Sequence, residues 1–266
     1  MVADRRLAGW YYIQIGHTFE IDGDGESAAK QYSLARPRIH QVLSLPMPST
    51  TQSVAKGQEP KNRFHAKLLE IFSNDVRVQN DHITRFERSI LPLFDAAASS
   101  SQHEEALRSF GELLGFEASR PEQEADTHST LDDLWVSTNK RQAILFELKT
   151  KKRPEQMINA EDVGQGYNHL KWMSQAHKDV SVLGLIFIAP KEKCAREATP
   201  SNEMSVTVLG PIREFYEETI QTLLALQRMT PMERYAEIEA MASRPEWQPE
   251  AILKRLRGRR LVDVKS

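Results

Sequence analysis

Glu147-Leu148-Lys149 ends the apolar run Ala143-Ile144-Leu145-Phe146. Side chains alternate along an extended strand, so Glu147 and Lys149 project to one side and Leu148 to the other. Upstream, Leu131-Asp132-Asp133-Leu134-Trp135-Val136 opens an otherwise apolar strand on two adjacent acids. A buried carboxylate is costly unless it is paired or bound to a metal. Pairing of the two strands as a hairpin across Thr138-Asn139-Lys140-Arg141 would put the carboxylates of Asp132 and Glu147 on neighbouring strands. Two hard oxygen donors with open positions around them suit Mg²⁺ or Mn²⁺. Such an ion polarises a phosphoryl oxygen and makes a nucleophile of bound water at neutral pH. Lys149 would orient that water or stabilise charge developing at phosphorus. Acid-x-Lys recurs at Glu59-Pro60-Lys61 and Asp263-Val264-Lys265, but only the Glu147 copy has a β-run before it and an acidic strand upstream.

The elements that must position these groups begin at Ser101, where Ser101 and Glu104 have the spacing of a capping box. The helix they open carries Leu107, Phe110 and Leu114 on one stripe and ends at Gly115. Strands are predicted over Phe116 to Arg120, Leu131 to Ser137 and Ala143 to Thr150. A helix from about Asp162 to His177 follows, with Val163, Tyr167, Leu170 and Met173 on one face. Gln165, His169 and Trp172 form a stripe beside that face, and Gly164 and Gly166 would permit close approach. Val180 to Ala189 is a near-continuous apolar run, as in a strand covered on both faces. Ser205 to Leu209 reads as a further strand, and helices close the chain from Pro211 to about Arg257. This order predicts an α/β sandwich with a mixed sheet.

Ahead of that core, residues 9–40 read as a helical hairpin. Tyr12, Ile15, Gly16 and Phe19 face Ala28, Tyr32 and Ala35 across a turn at Gly23 to Gly25. The spacing is similar to a single tetratricopeptide repeat, though no second copy follows. Residues 45–62, rich in Pro, Ser and Thr, read as a linker, and 63–100 as a helical segment. The expected organisation is therefore a hairpin over 1–44, the linker, the helical segment, a core over 101–210 and a helical extension over 211–266 with a basic tail.

Composition narrows the function. The 266 residues fit one large or two small domains. Lys and Arg (35) against Asp and Glu (37) exclude a globally basic coat but not a local basic groove. The single cysteine, Cys194, excludes a disulfide framework and a cysteine-built zinc site. The longest apolar run is about half the ~20 residues of a membrane helix, and the N-terminus lacks the apolar region of a secretory signal. A soluble cytoplasmic protein is expected, with no membrane association.

An Asp on the second strand and Glu-x-Lys on the third resemble the PD-(D/E)XK (restriction-endonuclease-like) nuclease superfamily. More narrowly, residues 113–122 (LLGFEASRPE), Asp132 to Trp135, Phe146 to Lys149, and Gly164-Gln165-Gly166 with His169-Leu170 and Trp172 resemble the nuclease-type domain attached to some DEAD/DEAH-box helicases. The resemblance spans roughly residues 101–190. It implies a restriction-endonuclease-like core of order αβββαβ and a Mg²⁺-dependent (or Mn²⁺-dependent) deoxyribonuclease. By it, Asp132 and Glu147 are the metal-binding acids, the Leu148 carbonyl completes the metal shell, and Lys149 is the catalytic lysine. It places Gln165 at an auxiliary position that touches substrate or a metal-bound water. A glutamate early in the first helix maps to Glu104, with Glu105 close behind, although capping and a polar face with Arg108 and Glu112 also account for these two. The implied partners are DNA and a helicase or another repair or defence protein. The family usually has proline where this chain has Leu131, and an apolar residue where it has Asp133. The aspartate register is thus open by one, and Asp132 is preferred because it leaves Leu134 and Trp135 as the apolar pair.

Between Lys140 and Arg153 six basic residues face one acid, Glu147. Lys140, Arg141, Lys151, Lys152 and Arg153 are expected to contact phosphates, giving salt-sensitive, sequence-independent affinity. A second basic cluster, Lys254, Arg255, Arg257, Arg259 and Arg260, fits a solvated helix end equally well. Two alternatives stand beside the nuclease: a nuclease-fold DNA-binding module without catalysis, and a helical-repeat adaptor.

Overall fold

The computed structural model describes residues 2–21, 24–35, 60–73, 76–124 and 131–266. Contacts divide the chain into two compact units, 1–58 and 59–266. The first contains α1 (Val2–Ile21) and α2 (Gly25–Ala35). Gly16 lets them meet: a Cβ there would lie 2.6 Å from the Tyr32 ring. The Tyr32 hydroxyl donates to Glu20 (2.8 Å). Ala28, Tyr32 and Ala35 are buried as the spacing predicts, but Ile15 is 42% exposed. It lies about 80° around the helix from the middle of the stripe of Gly9, Tyr12, Gly16 and Phe19 that turns inward. Gly25 opens α2 and is not part of the turn, because the Asp24 carboxylate accepts the Ser27 N–H (3.0 Å) as a helix cap. The expected end of the hairpin and most of the linker, residues 36–59, lie outside the described residues.

The second unit is α/β. Its six-stranded mixed sheet has order β1-β2-β3-β4-β5-β6, with β1 (Glu117–Ser119), β2 (Asp133–Ser137), β3 (Gln142–Leu148), β4 (Ser181–Ile188), β5 (Met204–Thr207) and β6 (Arg259–Arg260). β1, β2 and β3 are antiparallel, β3, β4 and β5 parallel, and β6 antiparallel to β5. The two-residue alternation assigns the faces. Trp135, Ile144, Phe146, Ile186 and Ile188 pack on one side. Leu134, Ala143, Leu145, Leu185 and Phe187 pack on the other. β4 is covered on both faces, as its apolar run predicts.

Six helices share the first face: α3 (Arg63–Phe72), α4 (Val76–Ile90), α5 (Ser100–Leu113), α8 (Leu209–Arg228), α9 (Pro231–Met241) and α10 (Pro249–Leu256). Segments 63–100 and 211–266 thus belong to the same hydrophobic core as the sheet. The first residues of the unit clasp the end of α9: Asn62 Nδ2 donates to Ala242 O (2.9 Å), and Lys61 and His65 meet Glu239 at 2.6 and 3.0 Å. The second face is covered by α7 (Ala160–Ala176) and by Leu261 and Val264. A short α6 (Pro121–Glu124) lies between β1 and β2, and a 3-10 turn (Leu91–Phe94) follows α4.

Two expectations about boundaries are corrected. The capping box of α5 is Ser99 with Gln102, not Ser101 with Glu104, which frees Glu104 for tertiary contact. The basic tail is also not only a helix end. Lys254 and Arg255 finish α10, but Arg259 and Arg260 form the edge strand β6. Gly115, at φ +83°, ends α5 in a conformation other residues resist.

Candidate functional site

The β2–β3 ladder pairs Asp133 with Phe146 and Leu134 with Leu145. One further step opposes Asp132 to Glu147, and opposed residues of an antiparallel pair share a face. Asp132 lies just before β2 and turns onto the strand end, where its Oδ2 accepts the Leu148 N–H at 2.6 Å. Asp133 occupies the other face, fully buried, with no hydrogen-bond partner for either oxygen among the described residues. Burial pushes its pKa well up, only partly opposed by the Arg120 guanidinium. The structure therefore sets Asp132, not Asp133, beside Glu147.

Glu147 is buried and uses both oxygens. Oε1 meets Lys149 Nζ at 2.8 Å, and Oε2 meets His169 Nε2 at 2.8 Å. Lys149 also donates to Gln165 Oε1 (2.7 Å) and lies 3.7 Å from Asp162 Oδ1. α7 supplies these partners because its Asn159–Asp162 capping box fixes the start of the helix over the strand end. Gln165 and His169 then fall one turn apart, facing Lys149 and Glu147. Gly166 permits the approach, since a Cβ there would lie 2.9 Å from Phe187, whereas Gly164 faces open space. Trp172, on the same stripe, packs on the core and edge-on to His177 (5.4 Å), away from the acids.

Electrostatics tie the group together. The Asp132 carboxyl is pushed up to about 8, first by burial, then by the charge of Glu147 and more weakly of Glu104; the Leu148 N–H and Lys149 pull the other way. Burial alone would lower the Lys149 ammonium, but the charge and hydrogen bond of Glu147, with Asp162 and Asp132 beyond, raise it. Glu104 reaches the site by charge, while its carboxylate contacts Arg120, which also donates to Ser101 Oγ (3.2 Å). Glu105 turns outward to Arg108.

Asp132, Glu147 and the Leu148 carbonyl are the groups at this strand end that could hold a divalent ion. Among the described residues no three His, Cys, Asp or Glu side chains converge to hold a metal by themselves. Asp132, Glu147 and the Leu148 carbonyl would leave several positions to water, which Mg²⁺ favours. A divalent cation would also offset the Glu147 repulsion that adds to burial in raising the Asp132 carboxyl.

The basic run does not form one patch. Lys140 and Arg141 occupy the β2–β3 turn, about 20 Å along β3 from Glu147, where they pair with Glu250 (3.1 Å) and Asp179 (3.6 Å). Lys151 Nζ donates to the carbonyls of Ala96 (3.1 Å) and Ala98. Lys152 meets Asp162 at 2.8 Å. Arg153 is exposed just past the site. Sequence reasoning left His169 undecided and missed Asp162; the Asn159-x-x-Asp162 capping pattern was the available signal. No family model matches the chain, and no curated protein or solved structure matches it significantly.

Proposed function

We propose that the chain is a Mg²⁺-dependent deoxyribonuclease built on a PD-(D/E)XK-like core. The observation that carries this reading is that Asp132, one residue beyond the Asp133–Phe146 pair, accepts the Leu148 N–H next to Glu147, with Lys149 hydrogen-bonded to Glu147 at the same strand end. Apart from the short α6 between β1 and β2, the order α5, β1, β2, β3, α7, β4 is that of an αβββαβ arrangement, which supports the reading. Asp132, Glu147 and the Leu148 carbonyl would hold the cation. When bound, such an ion makes water nucleophilic at neutral pH and neutralises charge on the phosphoryl group. The Leu148 N–H fixes the Asp132 carboxylate, and His169 fixes that of Glu147. Gln165 and Glu147 hold the Lys149 ammonium where it donates to the attacking water or to a phosphoryl oxygen as negative charge accumulates.

A DNA-binding module without catalysis is the second reading. It is favoured by Glu147, whose two oxygens already have partners, and by the lack, among the described residues, of a third convergent ligating side chain. Linear, circular and single-stranded DNA incubated with and without Mg²⁺ separates the two. Cleavage that needs Mg²⁺ and disappears in folded Glu147→Ala and Lys149→Ala supports the nuclease. Binding without cleavage, with no Mg²⁺-dependent rise in melting temperature, supports the module.

A further inference from the structure

On the face of the sheet opposite α7, a cleft of about 360 Å³ opens between the 3-10 turn and α8, lined by Leu91, Phe94, Asp95, Arg213, Tyr216 and Glu217. Its size is at the small end of the ~300–1,000 Å³ typical of ligand sites, which suits one planar group. α8 starts directly after β5, so Arg213 and Tyr216, in its first turns, lie at the end of the sheet where β3 and β4 finish. Glu147 and Lys149 stand at that same end, where α/β sheets collect ligands. His103 links Asp95 at the cleft to Thr150, the residue after Lys149. His103 meets Thr150 Oγ1 at 2.7 Å through Nδ1 and Asp95 O at 2.9 Å through Nε2.

The lining selects the ligand. The Arg213 guanidinium lies 5.0 Å over the Phe94 ring and donates to Phe94 O (3.1 Å), which tethers it beside that ring. The Tyr216 ring stands 5.4 Å from Phe94 at 41°. An exposed guanidinium over one aromatic ring, itself beside a second, is a platform for another π-face. Asp95 and Glu217 place two negative charges against the single positive one, which disfavours a phosphate and favours the amino groups of a base. Asp95 is fixed by the Ala97 N–H (2.9 Å).

We propose that this cleft stacks one unpaired nucleobase of a DNA strand whose backbone continues to the Glu147–Lys149 site, making the substrate class DNA with a single-stranded segment beside the cut. The proposal rests on the nuclease reading for what the neighbouring site does. The test uses the full chain in EDTA, with fluorescence anisotropy of a labelled duplex carrying a short single-stranded overhang and of a blunt duplex with equal phosphates. Arg213→Ala and Arg213→Lys each weaken overhang binding about tenfold, the effect of losing one stacked base. Blunt-duplex binding and the slope of affinity against salt stay the same. Phe94→Ala repeats the effect; Phe94 is half-buried, so if that variant fails to fold, the exposed Arg213 variants decide. No loss on the overhang overturns the proposal. So does an equal loss on both duplexes with the salt slope reduced by about one, the mark of a phosphate contact. If the wild type cleaves nothing while cleft-dependent overhang binding persists, the nuclease reading fails and the cleft stands. Cleavage that ignores the overhang and Arg213→Ala removes the cleft alone.

Discussion

Replacing Asp132 by Asn tests the electrostatics of the site directly. The asparagine keeps an acceptor for the Leu148 N–H, which Asp132 holds at 2.6 Å, and removes only the charge. The Asp132 carboxyl moves from 3.8 in the unfolded chain to about 8 in the fold. The folded state therefore keeps a proton that the unfolded chain has released. This stabilisation is complete below pH 4 and is lost as pH rises through 8. At about 1.36 kcal/mol per pH unit the ceiling is ~6 kcal/mol. Side-chain relaxation, water entry and sharing of charge with Glu147 reduce such ceilings severalfold, to about 2 kcal/mol. For a unit of this size, that is a rise in Tm of about 4–8 °C. Calorimetry of Asp132→Asn in EDTA should show this gain at pH 8 and little at pH 5. Added Mg²⁺ should raise the wild-type Tm and not the variant's. A variant that melts at or below wild type at pH 8, or one with an equal gain at both pH values, refutes the argument.

Other consequences can be measured independently. His169→Ala removes the hydrogen bond that fixes Glu147 Oε2 and should cost about 10–100-fold in Mg²⁺ affinity or turnover, seen in a Mg²⁺ titration of cleavage. Gly111→Ala forces a methyl to 2.5 Å from the buried Trp135 ring and should destabilise by about 1–3 kcal/mol in urea unfolding. Gly164→Ala, which faces open space, should instead stabilise by about 0.5–1 kcal/mol. Lys140→Ala with Arg141→Ala should leave the salt slope of DNA binding unchanged, and Arg153→Ala should reduce it by about one.

The acids and the lysine were legible because their arrangement depends on local rules. Strand alternation put Glu147 and Lys149 together, and a short turn forces β2 and β3 to pair, so counting along the hairpin brings Asp132 to Glu147. Contacts across longer separations left weaker traces. Asp162 and His169 reach the site only through the docking of α7, and a capping aspartate or a helical histidine has ordinary explanations in a sequence. The three consecutive serines Ser99, Ser100 and Ser101 offer three helix starts, and sequence cannot choose among them as tertiary packing does. Lys140 and Arg141 are near Lys149 in number, but an extended strand converts those few residues into distance. β6 consists of two arginines with no apolar alternation to announce it.

The joining of residues 61–65 to 239–242 bears on how this unit can be divided. A fragment cut to the motif-bearing stretch, 101–210, would strip α3, α4 and α8 through α10 from one face of the sheet and leave Phe110, Trp135 and Phe146 in water. Such a fragment should collapse without ordered packing, whereas residues 60–266 retain every helix of that face. The first residues of the unit are seated on the end of α9, so a boundary drawn at residue 60 should preserve the architecture that a motif-based truncation destroys.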